Sequence, residues 1–478
     1  MTIPAARRAQ VLVVIGALTV AAAFLVSETL TRFTLLQVAG GVAAVALFAL
    51  VFVSTDFGLY VLILSMLLSP EFSLGGALAE RREVVIRIED FVLLIIAFAW
   101  LAKTAINKEL ALVGRSPLNL PIAAYVGANL LSTLLGMMLG SVKTVTGLMY
   151  VVKYVEYFFV YYMVANNLRS REHAWRLVSA AFGTAIIVAL YGLAQIPSGE
   201  RVSAPFEGQV GEPNTFGGYM LLMIAIVLAL ALETRSTRVR AWSLGMLVLF
   251  VPPFLFTLSR ASFLGAIPML LVLVAFSRHR APIALALAFM ALLVVVQPAF
   301  VPRSVHSRIH RTFEPETSWK GTVAVGQIQF DPSTSERLIS FRLAFDGWME
   351  RPIFGYGVTG FRFMDAQYAK LLVEAGLVGL VAFAWLIGRL LRELLRIYRR
   401  LTDPDDRGLA LGLLAGLVGL LVHGVGSNTF IIIRIMEPFW FFVAVAMMLS
   451  ELPDGRRGAR PAGAMTTRRT AAAHGALP

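Results

Sequence analysis

The sequence predicts an all-α polytopic membrane protein with about 14 (12–14) transmembrane helices and a large helical loop. Three observations support this fold class. Hydrophobic residues make up 58% of the 478 residues and charged residues only 15%. A soluble protein of this size needs more polar surface, whereas a bilayer accommodates apolar side chains. The apolar residues also form runs of about 20, the length that crosses a bilayer, and the charges concentrate between the runs.

The apolar runs define the predicted spans along the chain. They cover residues 10–27, 34–53, 57–70, 89–106, 118–137, 146–166, 175–196, 214–232, 241–257, 261–277, 282–300, 371–390, 409–427 and 430–450. The run at 57–70 is short for a span, so a smaller count remains open. We therefore predict a membrane domain over residues 1–450 and a disordered, basic cytoplasmic tail over residues 451–478, rich in Ala, Gly and Arg.

The charges between the runs predict the orientation. Every second loop is rich in Lys and Arg, and the loops between them are poor in cations. Cytoplasmic loops carry such an excess, so both termini should be cytoplasmic. The net charge of +13 then reflects this bias and contact with anionic lipid head groups rather than nucleic acid.

Two outward loops break the pattern of short connections. Residues 197–213 are polar and contain several carboxylates, and residues 301–370 form the longest outward segment. The longer loop contains an amphipathic helix predicted from Ser333 to Glu350, because Pro332 and Ser333 favour a helix start and Pro352 a stop. A long loop with helical periodicity, aromatic residues and clustered charge is more often functional than a linker.

Several kinds of chemistry have no motif in this chain. It contains no cysteine, which excludes disulfides, thiolate metal sites and a cysteine nucleophile. It also lacks the phosphate-loop, zinc-helix and nucleophile-elbow motifs, and its outward loops lack a D-x-D pair. We therefore predict no metal site and no cofactor.

Arginines are the first group of candidate site residues. Arg260 follows Ser259 at the predicted outer junction of two spans, where a guanidinium either contacts lipid phosphates or binds a phosphate ligand. Arg337 and Arg342 lie on the loop helix, about 140° apart around its axis, so a regular helix does not direct both to one ligand. Arg201 is a further cation of the 197–213 loop.

Carboxylates form the second group. Glu207 and Glu212 lie in the 197–213 loop, and Asp365 precedes the next predicted span. A carboxylate among arginines acts either as a general base or, more commonly, as an ion-pair partner. Within the membrane, Lys153 and Glu156 are three residues apart on one helix and are predicted to neutralise each other.

Three segments resemble the O-antigen ligase and O-antigen polymerase family of bacterial membrane glycosyltransferases, which are of the GT-C type. EPNTFGGY at 212–219 is similar to the family's Pro-Asn-x-(Phe/Leu)-(Ala/Gly) start of a span, and TLSRASFLG at 257–265 to its T-x-S-R-(G/A) segment. The third segment, residues 335–361 followed by 365–380, resembles its R-x(4)-R, P-x-x-G-x-G and E-x-G-x-x-G-L patterns. Together, the likeness extends over roughly residues 120–450.

The resemblance implies a multi-pass protein of the bacterial inner membrane that transfers a glycan without a metal. The donor would be a glycan on a polyprenyl diphosphate, and the acceptor a hydroxyl of a glycan or of a lipid-linked acceptor at the periplasmic face. Arg260 and Arg337 would stabilise the diphosphate, with Arg342 and Arg201 as lesser candidates. Asp365 would be the base or orient it, with Glu207 and Glu212 as alternatives, and Asn214 would orient the substrate or cap its helix.

The chain departs from the family at one position. Ligases of the family usually have His-Asn where this sequence has Asp365 and Ala366. A carboxylate therefore replaces their proposed base, which favours a polymerase or an exopolysaccharide relative over a strict lipopolysaccharide ligase.

Two other function classes remain as alternatives. A transporter of small anions could use the outward arginines, but it would be expected to place ionisable groups near the bilayer midplane on broken helices. A non-catalytic membrane scaffold would not need the set of arginines and carboxylates in the long loop.

Overall fold

The computed structural model of the protein describes residues 16–17, 35–73, 85–106, 116–207, 211–281, 284–285, 288, 305–307, 323–325 and 328–452. Most of the predicted spans at 10–27 and 282–300, and the tail from residue 453, lie outside these residues.

The described residues form thirteen α-helices. They are α1 (Leu35–Val53), α2 (Thr55–Leu68), α3 (Ile88–Ile106), α4 (Asn119–Met138), α5 (Thr144–Asn167), α6 (Arg171–Gln195), α7 (Pro213–Glu233), α8 (Thr237–Phe256), α9 (Arg260–Phe276), α10 (Pro332–Glu350), α11 (Gln367–Arg400), α12 (Pro404–His423) and α13 (Ile433–Leu449). Two short 3-10 helices occur at Ile196–Ser198 and Thr429–Ile431. Two small antiparallel ladders, which the sequence did not predict, pair β1 (Glu71–Ser73) with β2 (Val85–Arg87) and β3 (Ala324–Val325) with β4 (Ile328–Gln329).

The predicted fold class is confirmed. Seven helices of the described part are long and apolar enough to cross a membrane: α4, α5, α6 with the 3-10 turn that follows it, α7, α8, α11 and α12. Helices α1, α2 and α9 are apolar but shorter by the same measure. The total of 14 spans stays a prediction.

The helices α7, α12 and α13 form the centre of the fold, and most of their side chains are buried. Small residues allow α7 and α12 to approach closely. A Cβ atom on Gly412 would lie 2.4 Å from the Cα of Ile226, and one on Gly408 would lie 3.0 Å from the Cα of Leu230. Such glycine stripes replace side-chain packing with backbone contact between membrane helices.

The loop helix α10 begins close to where the sequence predicted it. Asp331 occupies the N-cap and accepts a hydrogen bond from the Thr334 amide, and Pro332 follows at the first helical position. Both features favour a helix start, since proline has no amide hydrogen to leave unsatisfied there. The helix ends at Glu350, two residues before Pro352.

Helix α11 is interrupted at Gly376, which has φ +62° and ψ −161°. The loop that follows α10 fills the interruption. The amides of Tyr356 and Gly357 donate to the carbonyls of Val373 and Glu374, at 3.0 and 2.8 Å. On the other side of the break, the amides of residues 377 and 378 donate to the carbonyls of residues 352 and 353, at 2.9 and 3.1 Å.

This exchange explains the glycine patterns at 352–357 and 374–380. A break inside a membrane helix leaves backbone groups that must find partners within the protein. The loop supplies them, and the Ser132 hydroxyl of α4 adds a bond to the Glu374 carbonyl at 2.6 Å. The break therefore fixes residues 365–375 as a separate short segment beside the loop helix.

Candidate functional site

A cavity of about 450 Å³ lies among the first turn of α7, the start of α11, helix α5 and the turn before α13. Its walls are both polar and apolar. They are formed by Arg87, Met149, Tyr150, Lys153, Gly211, Glu212, Pro213, Asn214, Thr215, Phe363, Asp365, Lys370, Ser427, Asn428, Ile431, Ile432 and Ile433. Three of the candidate site residues, Glu212, Asn214 and Asp365, are therefore brought to one cavity.

Asp365 is held at the wall of this cavity by Arg337. The Arg337 Nη2 atom lies 3.6 Å from Asp365 Oδ2, and the Asp365 side chain keeps 40% of its surface exposed. Burial raises the pKa of Asp365 above its ordinary value, the Arg337 guanidinium limits that rise, and nearby Glu212 adds to it. The group can therefore take up a proton more readily than a surface aspartate while still ionising beside a cation.

Arg337 itself is held by the turn before α13, by Ser333 of its own helix and by Asp365. Its Nε donates to the Gly426 carbonyl at 2.8 Å, and its Nη1 donates to the Ser333 hydroxyl at 2.9 Å. The guanidinium thus joins the loop helix α10 to the turn before α13 and to Asp365. Arg342, on the same helix, is exposed, so the two arginines have different surroundings.

Arg260 is the first residue of α9 and connects that helix to the loop helix. Its Nη2 lies 2.6 Å from Asp331 Oδ2, the N-cap residue of α10. Although burial raises the pKa of Asp331, the hydrogen bonds from Arg260 and Thr334 lower it overall. Arg260 does not line the cavity described above, but it anchors the helix that carries Arg337.

This arrangement predicts separate effects for two changes at Asp331. Asp331→Ala removes both the cap and the ion pair and is expected to lower the free energy of unfolding by about 1–2 kcal/mol. Asp331→Asn keeps the cap acceptor and removes only the charge, so it should cost less than the alanine variant. Thermal unfolding of both variants in detergent measures the difference; equal losses would mean that the ion pair, rather than the cap, carries the effect.

Glu212 and Asn214 lie at the start of α7. The Glu212 carboxylate accepts a hydrogen bond from the Thr215 hydroxyl at 2.7 Å. Asn214 Oδ1 accepts one from the Ser259 hydroxyl, at 2.9 Å, and Ser259 is in turn the N-cap of α9. The start of α7 and the start of α9, both of which resemble the family, are therefore bonded to each other.

Glu207 and Arg201 lie in the 197–213 loop and bond it to neighbouring parts of the chain. Glu207 Oε2 accepts the amides of Ala204 and Glu212, at 3.1 and 2.9 Å, while Arg434 Nη1 lies 3.8 Å from Glu207 Oε1. Burial raises the pKa of Glu207 to about 8 even with Arg434 beside it. Arg201 donates from Nε to the Thr257 carbonyl at 2.9 Å, so it binds the end of α8, and neither loop residue lines the cavity.

Comparison with known proteins gives one family match. A family model described as O-antigen ligase matches residues 253–384. The predicted resemblance to the O-antigen ligase and O-antigen polymerase family is confirmed. No curated protein matches the chain. The part that is similar to O-antigen ligase contains Arg260, Arg337, Arg342 and Asp365, together with the helix break at Gly376.

Most of the rest of the cavity wall comes from outside the segment that is similar to O-antigen ligase, whereas Phe363 and Lys370 lie within it. Most of these wall residues were not predicted from the sequence. Arg87 is the last residue of β2. Lys153 on α5 bonds Asp90 at 2.6 Å in addition to the predicted partner Glu156 at 3.7 Å. Lys370 pairs with Glu374 at 2.7 Å. The i,i+4 spacing of Lys370 and Glu374 was visible in the sequence; the approach of Asp90 to Lys153 was not.

Asn428 is a further wall residue that was missed. Its Nδ2 donates to the Met364 carbonyl at 2.7 Å, which orients the amide. Its Oδ1 is buried and has no hydrogen-bond partner among the residues that the structure describes. Asn428 therefore brings a buried hydrogen-bond acceptor next to the Asp365 segment, although the two lie far apart along the chain.

Proposed function

We propose that this chain is a membrane glycosyltransferase of the inner membrane. It would transfer a glycan from a polyprenyl diphosphate, such as undecaprenyl diphosphate, to an acceptor hydroxyl at the periplasmic face. The observation that carries the proposal is the pair formed by Asp365, which lines the cavity, and Arg337, whose Nη2 lies 3.6 Å from Asp365 Oδ2. Both residues lie within the segment that is similar to O-antigen ligase.

The reaction assigns a role to each member of the pair. The oxygen of the acceptor hydroxyl attacks the anomeric carbon of the donor glycan, and Asp365 takes the proton of that hydroxyl. The bond between that carbon and the diphosphate oxygen breaks, and the diphosphate leaves with its electron pair. Arg337 lies where it can stabilise the charge that develops on the leaving group, since a fixed guanidinium binds phosphate oxygens well.

The remaining candidates take supporting roles in this proposal. Arg260 holds the loop helix through Asp331 and is a second cation for the diphosphate, with Arg342 and Arg201 as lesser candidates. Glu212 is the alternative base because it lines the same cavity, whereas the carboxylate of Glu207 already accepts two backbone amides. The guanidinium groups carry the leaving-group charge, so we assign no metal and no ATP to the step.

The acceptor and the membrane setting follow from the sequence. A carboxylate at position 365, where ligases of the family usually have histidine, favours a polymerase or exopolysaccharide relative, with a glycan or lipid-linked acceptor. The apolar spans offer surface to the polyprenyl tail and to membrane lipids. With both termini cytoplasmic, as the charged loops predict, the cavity opens toward the periplasm.

The test is a gene deletion complemented with single variants. The deletion strain is expected to lose or shorten a surface or secreted glycan on gels, and the wild-type gene should restore it. Arg260→Ala and Asp365→Ala should fail to restore it at normal protein levels. Arg238→Ala and Asp346→Ala are matched controls, because both side chains are exposed and lie away from the cavity wall.

Two outcomes would contradict the proposal. An unchanged glycan profile in the deletion strain would remove the enzyme assignment altogether. Full activity of an expressed Arg260→Ala protein would remove the diphosphate role of that arginine and leave the rest of the assignment in place.

A further inference from the structure

Three cations line the cavity among the described residues: Arg87, Lys153 and Lys370. Their side chains differ in how much of their surface is exposed. The Lys370 side chain is only 6% exposed and is bound to Glu374 at 2.7 Å. Arg87 and Lys153 keep 15% and 21% of their side-chain surface exposed. These two cations therefore present charge to the cavity.

Carboxylates that do not line the cavity hold both cations. Lys153 Nζ bonds Asp90 Oδ1 at 2.6 Å and lies 3.7 Å from Glu156 Oε2. Arg87 Nη1 lies 3.2 Å from Glu89 Oε1. The Arg87 amide also donates to Asp90 Oδ2 at 3.1 Å, so Asp90 ties the two cations together. The two cations line the cavity, and the three acids that bind them do not.

This arrangement resembles a preorganised anion site more than a structural ion pair alone. A ligand site needs a cation that reaches the open space and a side chain that is already fixed, and Arg87 and Lys153 meet both conditions. Fixing a long side chain in advance removes an entropy cost of binding. The first turn of α7, residues Pro213 to Thr215, lines the same cavity. A helix N-terminus adds favourable potential for an anion, which the carboxylates of Glu212 and Asp365 at the same wall partly offset.

We propose that Arg87 and Lys153 form an oxyanion subsite of the cavity, which binds a phosphate or carboxylate group carried by the glycan substrate. The inference rests on the proposed function and extends it to residues outside the segment that is similar to O-antigen ligase. The two oxyanions share one chemistry, since ammonium and guanidinium groups form charge-assisted hydrogen bonds with both. The source is either the diphosphate of the lipid donor or the carboxylate of an acidic sugar.

Binding of two probes to the purified full-length protein tests the subsite. Inorganic pyrophosphate represents the diphosphate, and glucuronate represents an acidic sugar. We expect the wild-type protein in detergent to bind at least one of them by calorimetric titration. Lys153→Gln and Arg87→Gln should each weaken that binding about 10- to 100-fold, the usual effect of losing a hydrogen bond to a charged group, and Lys153→Arg should retain most of it.

Two controls keep the result interpretable. Lys143→Gln changes an exposed lysine at the start of the same helix and should leave binding unchanged. Because Lys153→Gln leaves Asp90 without its lysine partner, the double variant Lys153→Gln/Asp90→Asn removes one charge of each sign and keeps the local net charge of the wild-type protein. If the single variant fails to fold, the double variant should fold and still bind the probe weakly.

The outcomes separate the subsite from the proposed function. Loss of pyrophosphate binding in the variants assigns the subsite to the donor diphosphate, and loss of glucuronate binding assigns it to an acidic sugar. Equal binding by the wild-type protein and a folded Lys153→Gln variant, or binding of neither probe by the wild-type protein, overturns the subsite. The deletion phenotype is measured independently, so normal glycans alongside Lys153-dependent binding would overturn only the glycosyltransferase assignment.

Discussion

Replacing Asp365 with asparagine is expected to lower the rate of glycan transfer by about 10²- to 10⁴-fold, the usual effect of removing a general base. Asparagine keeps the size and polarity of the side chain, so the cavity wall should remain intact. Its amide cannot accept the proton of the acceptor hydroxyl. The loss should therefore appear in kcat more than in KM, because the missing interaction belongs to the transition state.

The pH dependence of the wild-type enzyme provides a second measurement at the same residue. A base works only when ionised, so activity should be present above the pKa of Asp365 and fall as the pH drops through it. Burial places that pKa above the usual aspartate value, while Arg337 lowers it and Glu212 raises it. The acid limb should therefore move to higher pH in Arg337→Gln and to lower pH in Glu212→Gln.

Transfer from a synthetic polyprenyl-diphosphate donor, followed over a range of pH with purified protein, gives both readouts. Asp346→Asn serves as the control, since this exposed aspartate of the loop helix lies away from the cavity wall. An Asp365→Asn enzyme with wild-type kcat would exclude the residue as the base. If the acid limb of the pH profile moves in the same direction in Arg337→Gln and Glu212→Gln, Asp365 is excluded as the group that titrates.

Replacing Gly376 with alanine is expected to destabilise the protein by about 3 kcal/mol or more. Its backbone conformation is essentially restricted to glycine, since a Cβ atom is strained at φ +62°, ψ −161°. That atom would also lie 2.4 Å from the Ile353 carbonyl oxygen and 2.8 Å from the Gly355 nitrogen. Both are backbone atoms, so relief requires breaking the hydrogen bonds that hold the loop in the helix break.

The same chain offers a matched control on the same helix. A Cβ atom on Gly388 meets nothing within 4 Å, so Gly388→Ala should be neutral or slightly stabilising, because alanine favours a helix over glycine. Thermal unfolding in detergent and the monodisperse fraction on gel filtration measure both variants. A Gly376→Ala protein that unfolds at the wild-type temperature would show that the interruption does not need its glycine conformation.

The spans and the loop helix were predictable because they depend on local composition. Apolar runs of sufficient length anticipate the helices from 35 to 276 and from 367 to 449, and Pro332 with Pro352 delimits the loop helix between Asp331 and Arg351. The family likeness likewise follows from short motifs. These features reside in neighbouring residues, so no knowledge of the packing is needed to find them.

The site was only partly accessible to the same reasoning. The sequence singled out Asp365, Glu212 and Asn214 as candidates, and each lies at the cavity wall. The sequence also predicted that Arg260 and Arg337 act together on one diphosphate. In the structure, Arg260 forms an ion pair with Asp331, and Arg337 forms one with Asp365. The sequence contains both arginines and both aspartates without stating which pair meets.

The many-helix membrane character, the loop helix and the motifs similar to O-antigen ligase could all be predicted from the sequence alone. The tertiary structure alone decided which charges share a cavity. Arg87, Lys153, Asp365 and Asn428 lie far apart along the chain and converge through the packing of α5, α7, α11 and α13. It also decided that the glycines of the 352–357 and 374–380 patterns complete a broken helix. Hydrophobic patterning in the sequence indicates which residues face lipid or the protein core. Ion pairs, and the backbone hydrogen bonds at the helix break, depend on contacts between distant segments.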